Sequence, residues 1–237
     1  MEQTWQELLR SGRRLTDGVL YRVLGFSQSA EGLRISLGRT SYREYLCTNV
    51  AHPEWRQEYG PECMSDAVAV TGVAVTQDGQ VPVQRRSALV GEWPGAYAVA
   101  PSGHPQPPNT IQEALMEELV EETGARHDEV EGEPRLTGLV LETARHKTEV
   151  TFLLRLALTW AQLKERVPAD AWEYQSLEPL TWTPDACTEF LLSHEEETIP
   201  QSHGGLLLAG RVQFGQRWYE QTVSHLLETD AQGWVGG

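Results

Sequence analysis

Between Ser102 and Ala125 the chain reads SGHPQPPNTIQEALMEELVEETGA, a stretch with five glutamates and no lysine or arginine. Four of them, Glu117, Glu118, Glu121 and Glu122, crowd its C-terminal end. Pro107 and Pro108 stop any helix arriving from upstream, Asn109 and Thr110 can each act as an N-cap, and Gly124 suits a C-terminal stop. These signals predict a helix over Thr110 to Thr123. Ile111, Leu115 and Leu119 recur every fourth residue and mark its buried stripe. At about 100° per residue, Glu118 and Glu122 point close to that stripe, Glu121 lies on its flank and Glu117 further round. The arrangement is costly. Glu118 with Glu122, and Glu117 with Glu121, are like-charge i,i+4 pairs, each opposing the helix by a few tenths of a kcal/mol. Negative charge in the last turn opposes the helix dipole by roughly 0.3–1 kcal/mol per group, and partial burial adds desolvation. No lysine or arginine lies between Arg86 and Arg126 to offset this locally. A hard divalent cation would resolve the conflict, since Mg2+ takes carboxylate oxygens together with waters and substrate phosphates, and Mn2+ accepts similar ligands. A solvated acidic helix is the competing reading.

The same residues resemble the Nudix box, G-x5-E-x7-R-E-U-x-E-E-x-G-U with U aliphatic. Gly103, Glu118, Leu119, Glu121, Glu122 and Gly124 fall in register. The departures are Asn109 for the first Glu, Glu117 for the Arg and Ala125 for the last aliphatic residue. The resemblance implies an α/β fold, an α/β/α sandwich with a mixed sheet, and Mg2+-dependent hydrolysis of a pyrophosphate bond. It places metal on Glu118, Glu121 and Glu122, with Glu118, Glu122 and Glu117 as the catalytic carboxylates. In the family the box arginine orients the first metal-binding glutamate. Glu117 cannot do so by a salt bridge, so it either joins the acidic cluster or leaves the task to another group. One of these carboxylates, or a loop acid such as Glu149, could take a proton from the attacking water. Further, PSGHPQP is similar to the GGHPEP loop of a branch that hydrolyses UDP-glucose and UDP-galactose and also lacks the box arginine. LGRTSYREYLCTN resembles a segment of that branch, with Tyr42, Tyr45, Thr48 and Asn49 matching. The implied substrate is a UDP-sugar, cleaved to UMP and a sugar 1-phosphate. A hydrolase of another derivative such as ADP-ribose, and a non-catalytic module that senses a nucleotide, are the alternatives.

Cationic and polar residues near the box are candidates for substrate contact. Arg85 and Arg86 end a strand, and alternation lets only one of them point inward. Arg145 sits in a polar loop, ETARHKTE, where ligand residues concentrate. Gly103 and His104 belong to the glycine loop. Asn49 and Tyr45 either contact the base or sugar, with Asn49 reading uracil, or pack the N-terminal part on the core. Trp93 either stacks on a base or is structural. His203-Gly204-Gly205 either opens a helix toward an anion or merely starts one.

The elements that must position these residues divide the chain in two, with a boundary near Met64: residues 1–64 as a strand-rich α+β extension and 65–237 as the hydrolase domain. The extension holds a short helix ending near Gly12 and two strands joined at Ala30-Glu31-Gly32. The polar run HPEWRQEYGPE reads as a loop or short helix. Residues 66–86 read as a β-hairpin turning at Asp78-Gly79. GAYAVAPSGH, PRLTGLVLETAR, TEVTFLLRLALT and LEPLTWT read as strands, and HGGLLLAGRVQFGQRWYEQTV as a helix weakened by glycine. At 237 residues and 40% hydrophobic the chain can build a real core. A net charge of −15 argues against nucleic acid and anionic membrane as partners. Three scattered cysteines fit neither a disulfide framework nor a zinc site. The opening residues have no signal-peptide apolar region, so the expected location is the cytoplasm. Oligomeric state stays open.

Overall fold

The computed structural model describes residues 1–166 and 168–233; residues 234–237 of the expected hydrolase domain lie outside them. The elements, in order, are α1 (Glu2–Arg10), β1 (Val19–Ser29), β2 (Gly32–Ser41), α2 (Tyr42–Tyr45), which runs into a π-helical turn over Leu46–Val50, and α3 (Trp55–Tyr59). Then follow β3 (Val68–Val75), β4 (Gln80–Arg86), β5 (Tyr97–Val99), β6 (Ser102–Gly103), α4 (Ile111–Thr123), β7 (Arg135–Glu142) and β8 (Lys147–Arg155). The chain continues with α5 (Trp160–Lys164), β9 (Tyr174–Thr181), α6 (Pro184–Ser193), α7 (Pro200–Phe214) and α8 (Gln216–Gly233).

β3 is the keel of the fold. Its sequence VAVTGVAV is buried at every residue, as an apolar run must be when both faces of a strand are covered. Val68, Val70 and Ala74 meet Leu115 and Leu119 of α4, together with Val150 and Leu154 of β8. Val73 and Val75 meet Val81 and Val83 of β4, and Leu206 and Ala209 of α7. The two-residue period of the strand thus divides the interior into two cores. β3 lies in a mixed sheet ordered β6-β3-β8-β7, parallel to β8 and antiparallel to β6, while β7 runs antiparallel to β8. A second, antiparallel sheet is ordered β5-β4-β9. With α4 on one side of β3 and α7 on the other, the architecture is the expected α/β arrangement around a mixed sheet.

The hairpin over residues 66–86 does not form. The turn is present, with the Gly79 N–H donating to the Thr76 carbonyl at 2.9 Å, but β3 pairs with β6 and β8 whereas β4 pairs with β5 and β9. β8 takes one edge of β3 along its whole length, β6 takes the other at Val70 and Thr71, and the turn carries the chain from one sheet to the other. The C-terminal helix is two helices, α7 and α8, broken at Gly215, whose φ is 97°. In the first 64 residues β1 and β2 form an antiparallel ribbon. Trp5, Leu20, Tyr45, Leu46 and Cys47 make a third core that reaches across the expected boundary to Ala67. Among the described residues no helix is long and apolar enough to cross a membrane.

Candidate functional site

α4 starts where its chemistry allows. Thr110 is the N-cap: its hydroxyl accepts from the Glu113 N–H at 3.1 Å, and the Glu113 carboxylate accepts from the Thr110 N–H at 2.7 Å, a reciprocal box. Gly124 ends the helix in the left-handed conformation with φ 71°. Asn109 is thereby freed, and its Nδ2 donates to the exposed Glu117 carboxylate at 2.7 Å. The two polar departures from the box pattern therefore touch each other on the outer face, and Glu117 does not join the inward-facing acids.

Glu118 lines a cavity of about 330 Å3. Glu122 is 1% exposed just behind its wall, where its oxygens accept from the Ser102 N–H at 2.9 Å and Gln84 Nε2 at 3.2 Å. Glu121 is exposed, with Asp170 among its charged neighbours. Gly103 makes room for Glu118: a Cβ there would overlap the carboxylate. Burial, and then the Glu122 and Glu121 charges, push Glu118 well above the carboxylate range. Burial and the Glu173 charge push Glu122 up to about 8, against the pull of Arg86. Neither forms an ion pair with any described cation. Among the described residues no three acidic, histidine or cysteine side chains converge on one point. A pair of carboxylates is nevertheless within the ligand habit of Mg2+, which uses one or two carboxylates plus substrate phosphate. Glu118 and Glu122, neither with a described cation beside it, fit such an ion as deprotonated carboxylates, and Glu121 would have to turn inward to join them.

The rest of the cavity was largely invisible in the sequence. Glu149, expected in a loop, lies on β8, because the pairing with β3 and β7 continues through Thr148 to Lys147. Thr71 Oγ1 donates to one of its oxygens, while the other, Oε2, is buried with no hydrogen bond and 3.9 Å from Lys147 Nζ. Burial raises its pKa, partly offset by Lys147. Lys147, 7% exposed, also lies 3.3 Å from Glu92. Burial would raise Glu92, but Lys147, the neighbouring His104, the Tyr45 hydroxyl donating at 2.7 Å and Arg86 together outweigh it and hold it at about 2. His104 packs against the Tyr42 and Tyr45 rings, and burial followed by the Lys147 charge lowers it to about 3, so it is uncharged. Lys147 and Glu149 stand two apart on one strand, the spacing that puts side chains on one face. That was the available signal. Glu92, Glu173, Arg14 and Trp172 offered none.

The other predicted residues separate. Arg86 lines the cavity, its Nε donating to the Glu92 carbonyl at 3.2 Å. Arg85 faces elsewhere, paired with Glu197 at 2.6 Å and lying over Tyr97. Arg145 lies 3.9 Å over the Trp93 ring and 3.5–3.6 Å from Glu142 and Glu92. Arg85 and Arg145 line a second cavity of about 370 Å3, which shares only the Gly91-Glu92-Trp93 wall with the first. Asn49 is wholly buried: Nδ2 donates to Asp66 and to the Arg145 carbonyl, and Oδ1 accepts from the Ser65 and Asp66 N–H groups. It joins the N-terminal part to the core, and every polar atom it could offer a base is engaged. Tyr45 is equally buried, fixed on Glu92. His203 lies inside α7, its ring bonded to the Leu191 carbonyl.

The NUDIX domain family matches residues 66–186, just over half of the chain, and this protein belongs to that family of hydrolases. At 23% identity it is similar to the uridine diphosphate glucose pyrophosphatase NUDT22 of Homo sapiens, the match covering 88% of this chain and 80% of that one. Nudix hydrolase 9 of Arabidopsis thaliana is 28% identical, over 45% of this chain and 39% of its own. Among solved structures, the MutT protein of Methanosarcina mazei Go1 covers 62% of this chain and 94% of its own, at 16% identity and a TM-score of 0.46.

Proposed function

We propose that this protein is a Mg2+-dependent hydrolase of nucleoside diphosphate sugars that cleaves UDP-glucose or UDP-galactose to UMP and a sugar 1-phosphate. The observation that carries this is the Glu118–Glu122 pair: a half-buried carboxylate lining the cavity and packed on Gly103, and a buried one behind it, with no described cation paired to either. The substrate class is supported by the likeness to a uridine diphosphate glucose pyrophosphatase over most of both chains.

In this reading Glu118 and Glu122 would hold Mg2+, with Mn2+ as a substitute, which would supply charge neutralisation at the phosphates and activation of water. Arg86 faces the same cavity and draws the anionic diphosphate inward. Glu149 is the proton acceptor, since its Oε2 is a buried carboxylate oxygen that receives no hydrogen bond. Lys147, 3.9 Å away, keeps it ionisable despite burial. Water oxygen bonds to phosphorus, the bridging P–O bond breaks, and the proton passes to Glu149. Neutral His104, the partly buried Tyr42 and the buried Tyr45 pack together on the side of the N-terminal part. Steady-state kinetics on UDP-glucose, UDP-galactose, ADP-glucose, GDP-mannose and ADP-ribose under one Mg2+ concentration test the assignment. UMP and sugar 1-phosphate should accumulate fastest from a UDP-sugar, and chelation should stop the reaction. A preference for ADP-ribose would sink the substrate, and activity after exhaustive chelation would sink the metal.

A further inference from the structure

The cavity is strongly acidic, with Glu92, Glu118, Glu149, Asp170 and Glu173 on its walls, yet it must admit a polyanion. Lys147 is spent on Glu92 and Glu149. The two arginines that line the cavity, Arg86 and Arg14, form no ion pair with any described residue. Arg14 is exposed and belongs to the segment between α1 and β1. Two contacts hold it: its backbone N–H donates to the Leu89 carbonyl at 2.7 Å, and its guanidinium carbon lies 4.4 Å over the Trp172 ring. Trp172 is itself fixed by Nε1 donating to Asp170 at 2.9 Å. Stacking uses the flat face of a guanidinium and leaves its N–H donors, which lie in the plane, free. A carboxylate partner would have consumed them. The Arg14 charge acts on the cavity residue Glu173, but its guanidinium donates no hydrogen bond to a described residue, so Arg14 is a positioned, open fork at the cavity edge.

We propose that Arg14 is a substrate-binding residue that takes a phosphate of the diphosphate at the cavity mouth, so the N-terminal part supplies specificity to a site whose glutamates lie in the family domain. The inference rests on the diphosphate-ester reading above. Binding of α,β-methylene-UDP, whose bridge cannot be hydrolysed, tests it separately. The analogue is titrated calorimetrically with Mg2+ into wild-type, Arg14→Ala, Arg14→Lys and Trp172→Leu proteins, and kinetics follow on whichever nucleoside diphosphate derivative the wild type cleaves. Hydrogen bonds to charged groups are worth about ten- to a hundredfold in affinity, so Arg14→Ala should weaken the analogue at least tenfold. KM should rise in step while kcat stays within about threefold, because the contact is made in ground and transition states alike. Arg14→Lys should leave most of the loss in place, since an ammonium has neither fork nor stacking plane. Trp172→Leu should weaken binding in the same direction. Equal analogue affinity in wild type and Arg14→Ala, a wild type that binds no analogue, or a fall in kcat at constant KM overturns the proposal. Arg14-dependent binding without turnover of any UDP-sugar leaves it standing and removes the substrate assignment instead.

Discussion

Gly103 lacks a side chain in the one place where a side chain would meet the Glu118 carboxylate. The obstructing atoms are the far end of a flexible chain, so Gly103→Ala should fold, with a stability loss at or below the roughly 1–3 kcal/mol of ordinary overpacking. The displaced carboxylate is a different matter. Misplacing a positioned group by an ångström costs on the order of a hundredfold, so kcat/KM should fall by that much, as it should in Glu118→Gln. Glu117→Gln should retain most activity, since Glu117 lies on the outer face against Asn109. Melting curves beside kinetics on the three variants check both halves. A Gly103→Ala enzyme of full activity would show that Gly103 does not set the Glu118 position.

At the scale of elements, α7 and α8 meet where Gly210 faces the Trp218 ring, and a Cβ at 210 would overlap that ring. Trp218 is pinned by Nε1 donating to the Pro184 carbonyl and to Thr188 Oγ1 at 3.0–3.1 Å. It cannot give way as Glu118 can. Gly210→Ala gains about 1 kcal/mol of helix propensity and loses about 1–3 kcal/mol to overpacking. We expect net destabilisation, read as a lower urea midpoint. Such glycines are what made this helix look doubtful in the sequence: they are packing contacts, and packing leaves no local trace. α4 was legible because its caps and stripe are local signals. The signals for α6 are also local, Thr183 accepting from the Ala186 N–H ahead of Pro184 at N1. The supposed hairpin failed because a turn shows where a chain reverses, not which strands occupy its edges. That Glu118 and Glu122 turn toward the core side of α4 was readable from their spacing. Glu92 with Lys147, and Arg14 with Trp172, were not, because each pair is joined only by tertiary contact across a long stretch of chain.

For the whole molecule, raised carboxylates make stability depend on pH in a definite direction. Glu122 has its folded pKa near 8 against an ordinary value of 4.5, and Glu118, Glu149 and Glu173 are raised as well. The folded state then holds protons the unfolded chain has released, so each such group contributes stability below 4.5 that is lost as pH rises toward its folded value. His104 works in the opposite sense between about 3 and 6.5, and Glu92 between about 2 and 4.5. The decline is therefore unopposed by either between 6.5 and 8. In that window the chelated protein should lose melting temperature steadily, at up to about 1.4 kcal/mol per pH unit for each fully shifted group. Mg2+ should abolish the loss by binding the deprotonated folded form, and Glu122→Gln should flatten the slope. A pH-independent melt in EDTA from 6.5 to 8 would show that these carboxylates are not desolvated as described.

The hydrogen bond between Asn109 and Glu117 has a consequence for how this sequence can change. The two positions at which the chain sets aside the box's glutamate and arginine are in contact, so their effects are epistatic. Asn109→Glu alone sets two carboxylates against each other, and Glu117→Arg alone strips Asn109 of its acceptor. Only the double exchange rebuilds a charge-complementary pair. A double-mutant cycle should return a favourable coupling of roughly 0.2–1 kcal/mol, the range for exposed ion pairs. Either order of exchange toward the common motif therefore passes through one less stable single variant.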